Sequence, residues 1–200
     1  MRMGDLPVFF DIFFHEVYRP AIPAEKPALM VDLGAHIGLA SLYFALVYTP
    51  ECIIAVEPDP QNCLLFQKNT RLFPCKLIEG AINETDNPLY YHSNVFNYKG
   101  RTSEQHYSAK KVPGISIRSL LYSSGFSEIG IMKVDMEGAE KILFKQYNDW
   151  LPFTKYIIME VHQNQLTSDF MKLFAQNGYT IEMKPFRKDF LIQAGRAAHS

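Results

Sequence analysis

The sequence predicts an α/β fold: a mostly parallel seven-stranded sheet with helices on both faces and an antiparallel last strand. Three observations predict it. Short apolar runs alternate with stretches of helical length, the pattern of strand–helix–strand crossovers. The first two runs stop abruptly, at Gly34 and at Glu57-Pro58, and each gives way to a helix. The last two runs, 179–183 and 190–193, read as an antiparallel hairpin.

Residues 28–33 form an apolar run suited to a strand buried on both faces. Residues 38–48 have helix length, and Pro50 stops them. Residues 52–56 are a second buried strand. Asp59 caps the next helix, with Pro60 at its first position, and that helix runs to Arg71. Residues 76–82 are a third strand. The segment 87–113 then breaks the alternation; polar and aromatic, it reads as a short hairpin with a long inserted loop on the substrate side. Order resumes with a helix at 119–124, a strand at 129–134, a helix at 138–147, a strand at 156–161 and a helix at 166–177 that ends at Gly178. Residues 1–27 are a lead-in to one domain spanning 1–200, and 194–200 read as a frayed tail.

Composition narrows the function classes. With 48% hydrophobic and 20% charged residues the chain is globular, and a net charge of −1 offers no nucleic-acid surface. The apolar run 37–48 is shorter than the ~20 residues a bilayer requires, so it reads as a buried helix and no membrane partner is expected. Asp5 and Asp11 interrupt the apolar residues near the start, against a signal peptide. Cys52, Cys63 and Cys75 form no CxxC pair and read as reduced thiols of a cytoplasmic protein.

Three loops carry the chemistry, because ligands of open parallel sheets bind beyond the carboxyl ends of the strands. The first reads Asp32-Leu33-Gly34-Ala35-His36-Ile37-Gly38. Gly34 permits a tight turn, and Gly38 lets the helix start pack close to strand and ligand. Free N–H groups there favour a carboxylate or phosphate, although a turn with no ligand has the same pattern. The second reads Glu57-Pro58-Asp59. It lies about 20 residues past the glycine turn, where an acid can accept both hydroxyls of an adenosine ribose. Asp59 suits a helix cap and Glu57, before its rigid proline, suits the ribose. The third runs from Lys133 through Asp135, Glu137 and Gly138 to Glu140. In extended backbone Asp135 and Glu137 would share a face, while Glu137 and Glu140 also read as helix caps.

A dinucleotide site needs a second glycine so that backbone can approach the pyrophosphate, and His36 occupies that position. Asp32 would repel a pyrophosphate as well. S-adenosyl-L-methionine fits better in this Rossmann-like frame. Its ammonium and sulfonium suit Asp32, its ribose suits Glu57, and its carboxylate suits the helix N–H groups. The expected cofactor residues are Asp32, Gly34, Ala35, His36, Gly38, Glu57, Pro58 and Ala81. An NAD-linked oxidoreductase survives only as a fold-level alternative.

These motifs resemble those of the FkbM family of methyltransferases. The lead-in 11–14 with Tyr18, the run 31–38, and 55–58 with Asn62 and Asn69 are similar to family motifs. The stretch 131–140 is the most distinctive, and 158–162 with Gly178-Tyr179 resembles the end of the domain. The resemblance implies a class I methyltransferase fold, S-adenosyl-L-methionine as cofactor, and O-methylation of a hydroxyl on a small-molecule acceptor, a sugar or natural product. Two departures stand out. The family usually has asparagine at His36, and its Ser-Leu-Asp-like segment reads Ser116-Ile117-Arg118 here. A cofactor-binding protein without activity is the alternative they suggest.

An alcohol acceptor needs a base to take its proton. Asp135 is the first candidate and His162, just past a strand end, the second. Glu137, Arg101 and Arg118 are the expected substrate residues; Lys99, Arg101, Lys110 and Lys111 could hold a phosphate or carboxylate of the substrate, but read first as a solvated basic loop. Glu160 reads as a strand-end hydrogen-bond partner, and although Asp135, Glu160 and His162 could jointly hold a divalent ion, no compact ligand spacing points to one, so no metal is expected.

Overall fold

The computed structural model describes residues 2–19, 26–91, 110–137, 139–162 and 164–196. The lead-in carries a helix that the sequence reading leaves unassigned, α1 (Leu6–Phe13). Its aromatic face packs on the sheet side covered by α2, with the Phe13 and Tyr43 rings edge to face at 5.8 Å. The next elements alternate: β1 (Leu29–Leu33), α2 (Leu39–Tyr48), β2 (Cys52–Glu57), α3 (Pro60–Thr70) and β3 (Cys75–Glu79). Every residue of β1 and β2 is buried, as strands covered on both faces must be.

After β3 the chain leaves the sheet. The expected strand 76–82 splits at Gly80, and β4 (Ala81–Ile82) pairs with β7 (Gly114–Ile115) instead. The reason is a close approach: a Cβ at Gly80 would stand 2.7 Å from the Pro113 carbonyl oxygen. Between them β5 (Leu89–Tyr91) and β6 (Lys110–Val112) form the expected hairpin. Lys99 and Arg101, expected on the substrate side, lie outside the described residues.

The sheet resumes with α4 (Ile117–Ser124), β8 (Ile129–Val134), α5 (Glu140–Lys145), α6 (Tyr147–Trp150), β9 (Thr154–Val161), α7 (Asn164–Gln176), β10 (Tyr179–Phe186) and β11 (Asp189–Arg196). The expected helix at 138–147 is thus two short ones. Gln146 leaves the helical region at φ −114° and ψ 24°, and its side-chain amide donates to the Glu84 carbonyl at 2.6 Å. The last hairpin is longer than predicted, and Arg187 takes a positive φ of 55° at its turn. Nor do residues 194–196 fray: Ala194 and Gly195 pair with Ile157 and Tyr156 on one side and Ile181 and Thr180 on the other.

The strand order is β10-β11-β9-β8-β1-β2-β3. β1, β2, β3, β8 and β9 run parallel, and β11 is antiparallel to both its neighbours. The chain winds outward from β1 to β3, then returns to β8 on the other side of β1. That reversal opens a crevice above the carboxyl ends of β1 and β8. Alternate residues of β1 serve two cores: Leu29, Val31 and Leu33 join Leu120, Trp150 and Phe174, while Met30 joins Ile12 and Phe44. All three cysteines are free thiols, and no described helix is long and apolar enough to cross a membrane.

Candidate active site

The frame of the site is backbone. Leaving β1, the Gly34 and Ala35 N–H groups both donate to the Val56 carbonyl at the end of β2, at 3.0 and 3.1 Å. Asp135 N–H, just past β8, donates to the Leu33 carbonyl at 3.0 Å. The first loop is thereby clamped between its neighbours. Gly34 sits at φ +76°, and a Cβ there would lie 1.8 Å from the Asp135 carbonyl oxygen, so only glycine fits. His36 also has a positive φ, 51°, where the sequence argument noted a missing glycine.

Glu57 stitches the first two loops together. One carboxylate oxygen accepts from the His36 N–H at 2.8 Å, the other from the Asp59 N–H at 3.0 Å and the Asn62 side-chain amide at 3.1 Å. Each carboxylate oxygen has two acceptor positions, so one remains on the oxygen facing the first loop. Asn69, also in the α3 motif, donates to the Ile37 carbonyl at 2.8 Å. Asp59 caps α3 as expected, accepting from Gln61 and Asn62 N–H at 2.8 and 3.2 Å. Burial lowers the His36 pKa, leaving the ring neutral. Its Nε2, 3.0 Å from an Arg2 guanidinium nitrogen, must then accept, because guanidinium only donates.

Asp32 requires a correction. It is not aimed at a cationic ligand: its side chain is fully buried, accepts from Ser41 Oγ at 2.7 Å and pairs with Lys133 Nζ at 3.1 Å. Asp32 and Lys133 are register partners on adjacent parallel strands, so their side chains meet inside the sheet face. Lys133, a residue the sequence reading left without a role, also donates to the Gly34 carbonyl at 2.9 Å and stands 3.7 Å from Asp135. Burial opposes its charge, but the Asp32 and Asp135 carboxylates outweigh burial and raise its pKa.

A second cluster forms where β8 and β9 end. His162 Nε2 lies 3.6 Å from Asp135 Oδ1, 3.7 Å from Glu137 Oε2 and 3.6 Å from Glu160 Oε1. Its Nδ1 meets Oε1 of Glu140, a fully buried residue, at 2.9 Å. Asp135 and Glu137 therefore converge as the sequence suggested, by a different route: the chain is not extended there, and Glu137 turns at φ 51°. Burial disfavours the charged His162 ring, yet the Glu140 hydrogen bond and the charge of Asp135 win and raise its pKa to about 9. The surrounding carboxylates thus favour the protonated form of His162. Burial and the Asp135 charge push Glu160 up to about 7, and burial with Asp135 also raises Glu137. These shifts record crowded negative charge.

Other expected residues are placed apart. Arg118 is exposed on α4, and its charged neighbour is Asp149 at 3.9 Å; among the described residues no ion pair joins it to the cluster. The Ala81 N–H is committed to the Pro113 carbonyl at 3.0 Å, so it has no hydrogen to offer a cofactor. Pro58 and Ala35 flank the Glu57 stitch, and Gly38 begins α2 at φ 85°. Glu140, read from the sequence as a helix cap, instead meets His162, and Asp189, near His162, has no sequence signal because only the strand register brings it there.

A doubly wound sheet, a glycine turn clamped at its switch point and an acid bridging the first two loops define an S-adenosyl-L-methionine-dependent methyltransferase with a Rossmann-like fold. The family described as "Methyltransferase FkbM domain" matches residues 32–181, and the chain belongs to that family. It is 21% identical over 175 residues to the hexuronic acid methyltransferase AglP of Haloferax volcanii, covering 86% of this chain and 72% of that protein. Its fold resembles the crystal structure of the methyltransferase FkbM from Methylobacillus flagellatus KT (TM-score 0.58, 16% identity, 95% of this chain, 53% of that one). It also resembles M. capricolum TrmK in complex with S-adenosyl-homocysteine (TM-score 0.55, 12% identity, 91% and 66%).

Proposed function

We propose that this chain transfers a methyl group from S-adenosyl-L-methionine to a hydroxyl of a sugar or sugar-bearing small molecule. The observation that carries the reading is the contact of Gly34 with the Asp135 carbonyl, which puts the cofactor loop and the carboxylate cluster in one crevice. The name of the Haloferax volcanii relative, a hexuronic acid methyltransferase, supports a sugar acceptor.

In this reading Glu57, with its spare acceptor position, receives the ribose of the cofactor. The sulfonium is already a strong electrophile, so the protein's work is to align the acceptor oxygen with the S–CH₃ bond and exclude water. Asp135, one-quarter exposed at the mouth of β8, takes the hydroxyl proton as the methyl moves. Glu137, the most exposed member of the cluster, orients the acceptor. The three free thiols support action in a reducing compartment, the cytoplasm.

Isothermal titration and turnover with hexose and hexuronic acid glycosides test this. Glu57→Ala should abolish cofactor binding. Asp135→Asn should keep cofactor affinity and slow methyl transfer by about 100-fold, the scale of losing a general base. Binding of NAD with no response to S-adenosyl-L-methionine would overturn the reading, and full activity of Asp135→Asn would remove Asp135 from the role.

A further inference from the structure

We infer that His162, Asp135 and Glu137 bind a divalent metal ion beside the methyl donor. The inference rests on the proposed acceptor site and names what activates the acceptor there. The sequence spreads these residues over two loops, yet one donor atom from each lies within 4.8 Å of the others. Nε2 stands 3.6 Å from Asp135 Oδ1 and 3.7 Å from Glu137 Oε2. Two donors about 2.1 Å from one ion are about 3.0 Å apart at an octahedral angle and about 3.4 Å apart at a tetrahedral one. The two separations from Nε2 exceed these edges by a few tenths of an ångström, and the third, between Asp135 and Glu137, is within 4.8 Å.

Two further observations point to an ion rather than to a chance gathering of acids. The first is orientation. His162 Nδ1 is held at 2.9 Å by buried Glu140, which turns Nε2 toward the carboxylates. A carboxylate that fixes the far nitrogen of a histidine is the usual support of a metal-binding imidazole. The second is a nearly buried acid whose ion-pair partner is the same imidazole. Glu160 is 6% exposed and faces Nε2 at 3.6 Å. Asp189, 9% exposed, makes a second triad with Glu160 and the same histidine. Buried carboxylates normally find donors; these share one imidazole.

One nitrogen with carboxylate oxygens suits a hard or borderline cation such as Mn²⁺. The ion takes the place of the Nε2 proton, since metal ligands bind deprotonated. Glu137, 63% exposed, leaves the outer side of the ion open to the crevice. There an acceptor hydroxyl would bind, and the ion would draw charge from its oxygen. The proton passes to Asp135 Oδ2, the oxygen not used as a ligand. The methyl then moves from sulfur to the oxygen, and S-adenosylhomocysteine leaves with the sulfur–carbon electron pair.

Titration of the whole chain with Mn²⁺ alone, followed by electron paramagnetic resonance, tests the site without relying on catalysis. One Mn²⁺ should bind per chain. Glu137→Gln and His162→Ala should each weaken binding by at least tenfold, and Glu140→Gln by 10- to 100-fold through misorientation of the imidazole. Thermal unfolding and S-adenosyl-L-methionine titration of each variant separate these effects from loss of fold. Failure of Mn²⁺, Mg²⁺ and Zn²⁺ to bind, or equal binding to wild type and a Glu137→Gln/His162→Ala double variant, would overturn the inference. If cofactor binding and full turnover persist after chelation, the ion falls while the methyltransferase reading stands. If Mn²⁺ binds but S-adenosyl-L-methionine does not, the reverse holds.

Discussion

Lys133 concentrates the electrostatics of the crevice on one ammonium. It is 3% exposed, paired with a fully buried Asp32, hydrogen-bonded to the Gly34 carbonyl and close to Asp135. Removing one partner of such a pair strands a charge that water cannot reach. Lys133→Met should therefore cost about 3–5 kcal/mol of folding stability, measured by urea unfolding. An added Asp32→Asn should restore part of that loss by removing the stranded carboxylate. Unchanged stability in the single variant would mean that Asp32 is solvated after all. At this scale the sequence was legible where a residue's role is local. Asp59 reads as a cap because its partners are two and three residues away. Asp32 misleads because its partner is on a neighbouring strand, and the pairing follows from register, which spacing along the chain does not encode.

Elements were legible in proportion to their burial. β1, β2 and β8 lie in the middle of the sheet and are apolar on both faces, so their limits follow the apolar runs closely. β3 and β4 are less buried, and their division depends on Pro113 approaching Gly80 from a distant segment. The break between α5 and α6 depends likewise on Glu84, which holds Gln146. The α3 cap gives a prediction at this level. Asp59→Ala should cost about 1 kcal/mol, by thermal unfolding, through loss of two N–H partners. Cofactor affinity should change little, because Glu57 and not Asp59 forms the bridge to the first loop. A large loss of affinity with intact stability would give Asp59 a direct contact instead.

The winding of the whole chain places the site. β1 and β8, whose paired residues are 101 positions apart in the chain, become neighbours only because the chain returns across β1. That places the donor and acceptor loops side by side at the switch point. Fold class and switch point were readable from the alternation of elements, and the identities at three strand ends from their turn chemistry. The grouping around His162 was readable in part: Asp135, Glu160 and His162 stand at neighbouring strand ends, but Asp189 joins them only once β9 and β11 are assembled. The close fit of Gly34 against Asp135 has a further consequence for how such a catalyst can be re-engineered. Donor selectivity and acceptor selectivity are not separate dials here. A mutant chosen to take a bulkier analogue of the methyl donor must shift the Gly34 turn, and the Asp135 carbonyl has to shift with it. Gly34→Ala should therefore lower affinity for the donor and discrimination among acceptors together, seen by comparing donor dissociation constants and product ratios from mixed glycosides.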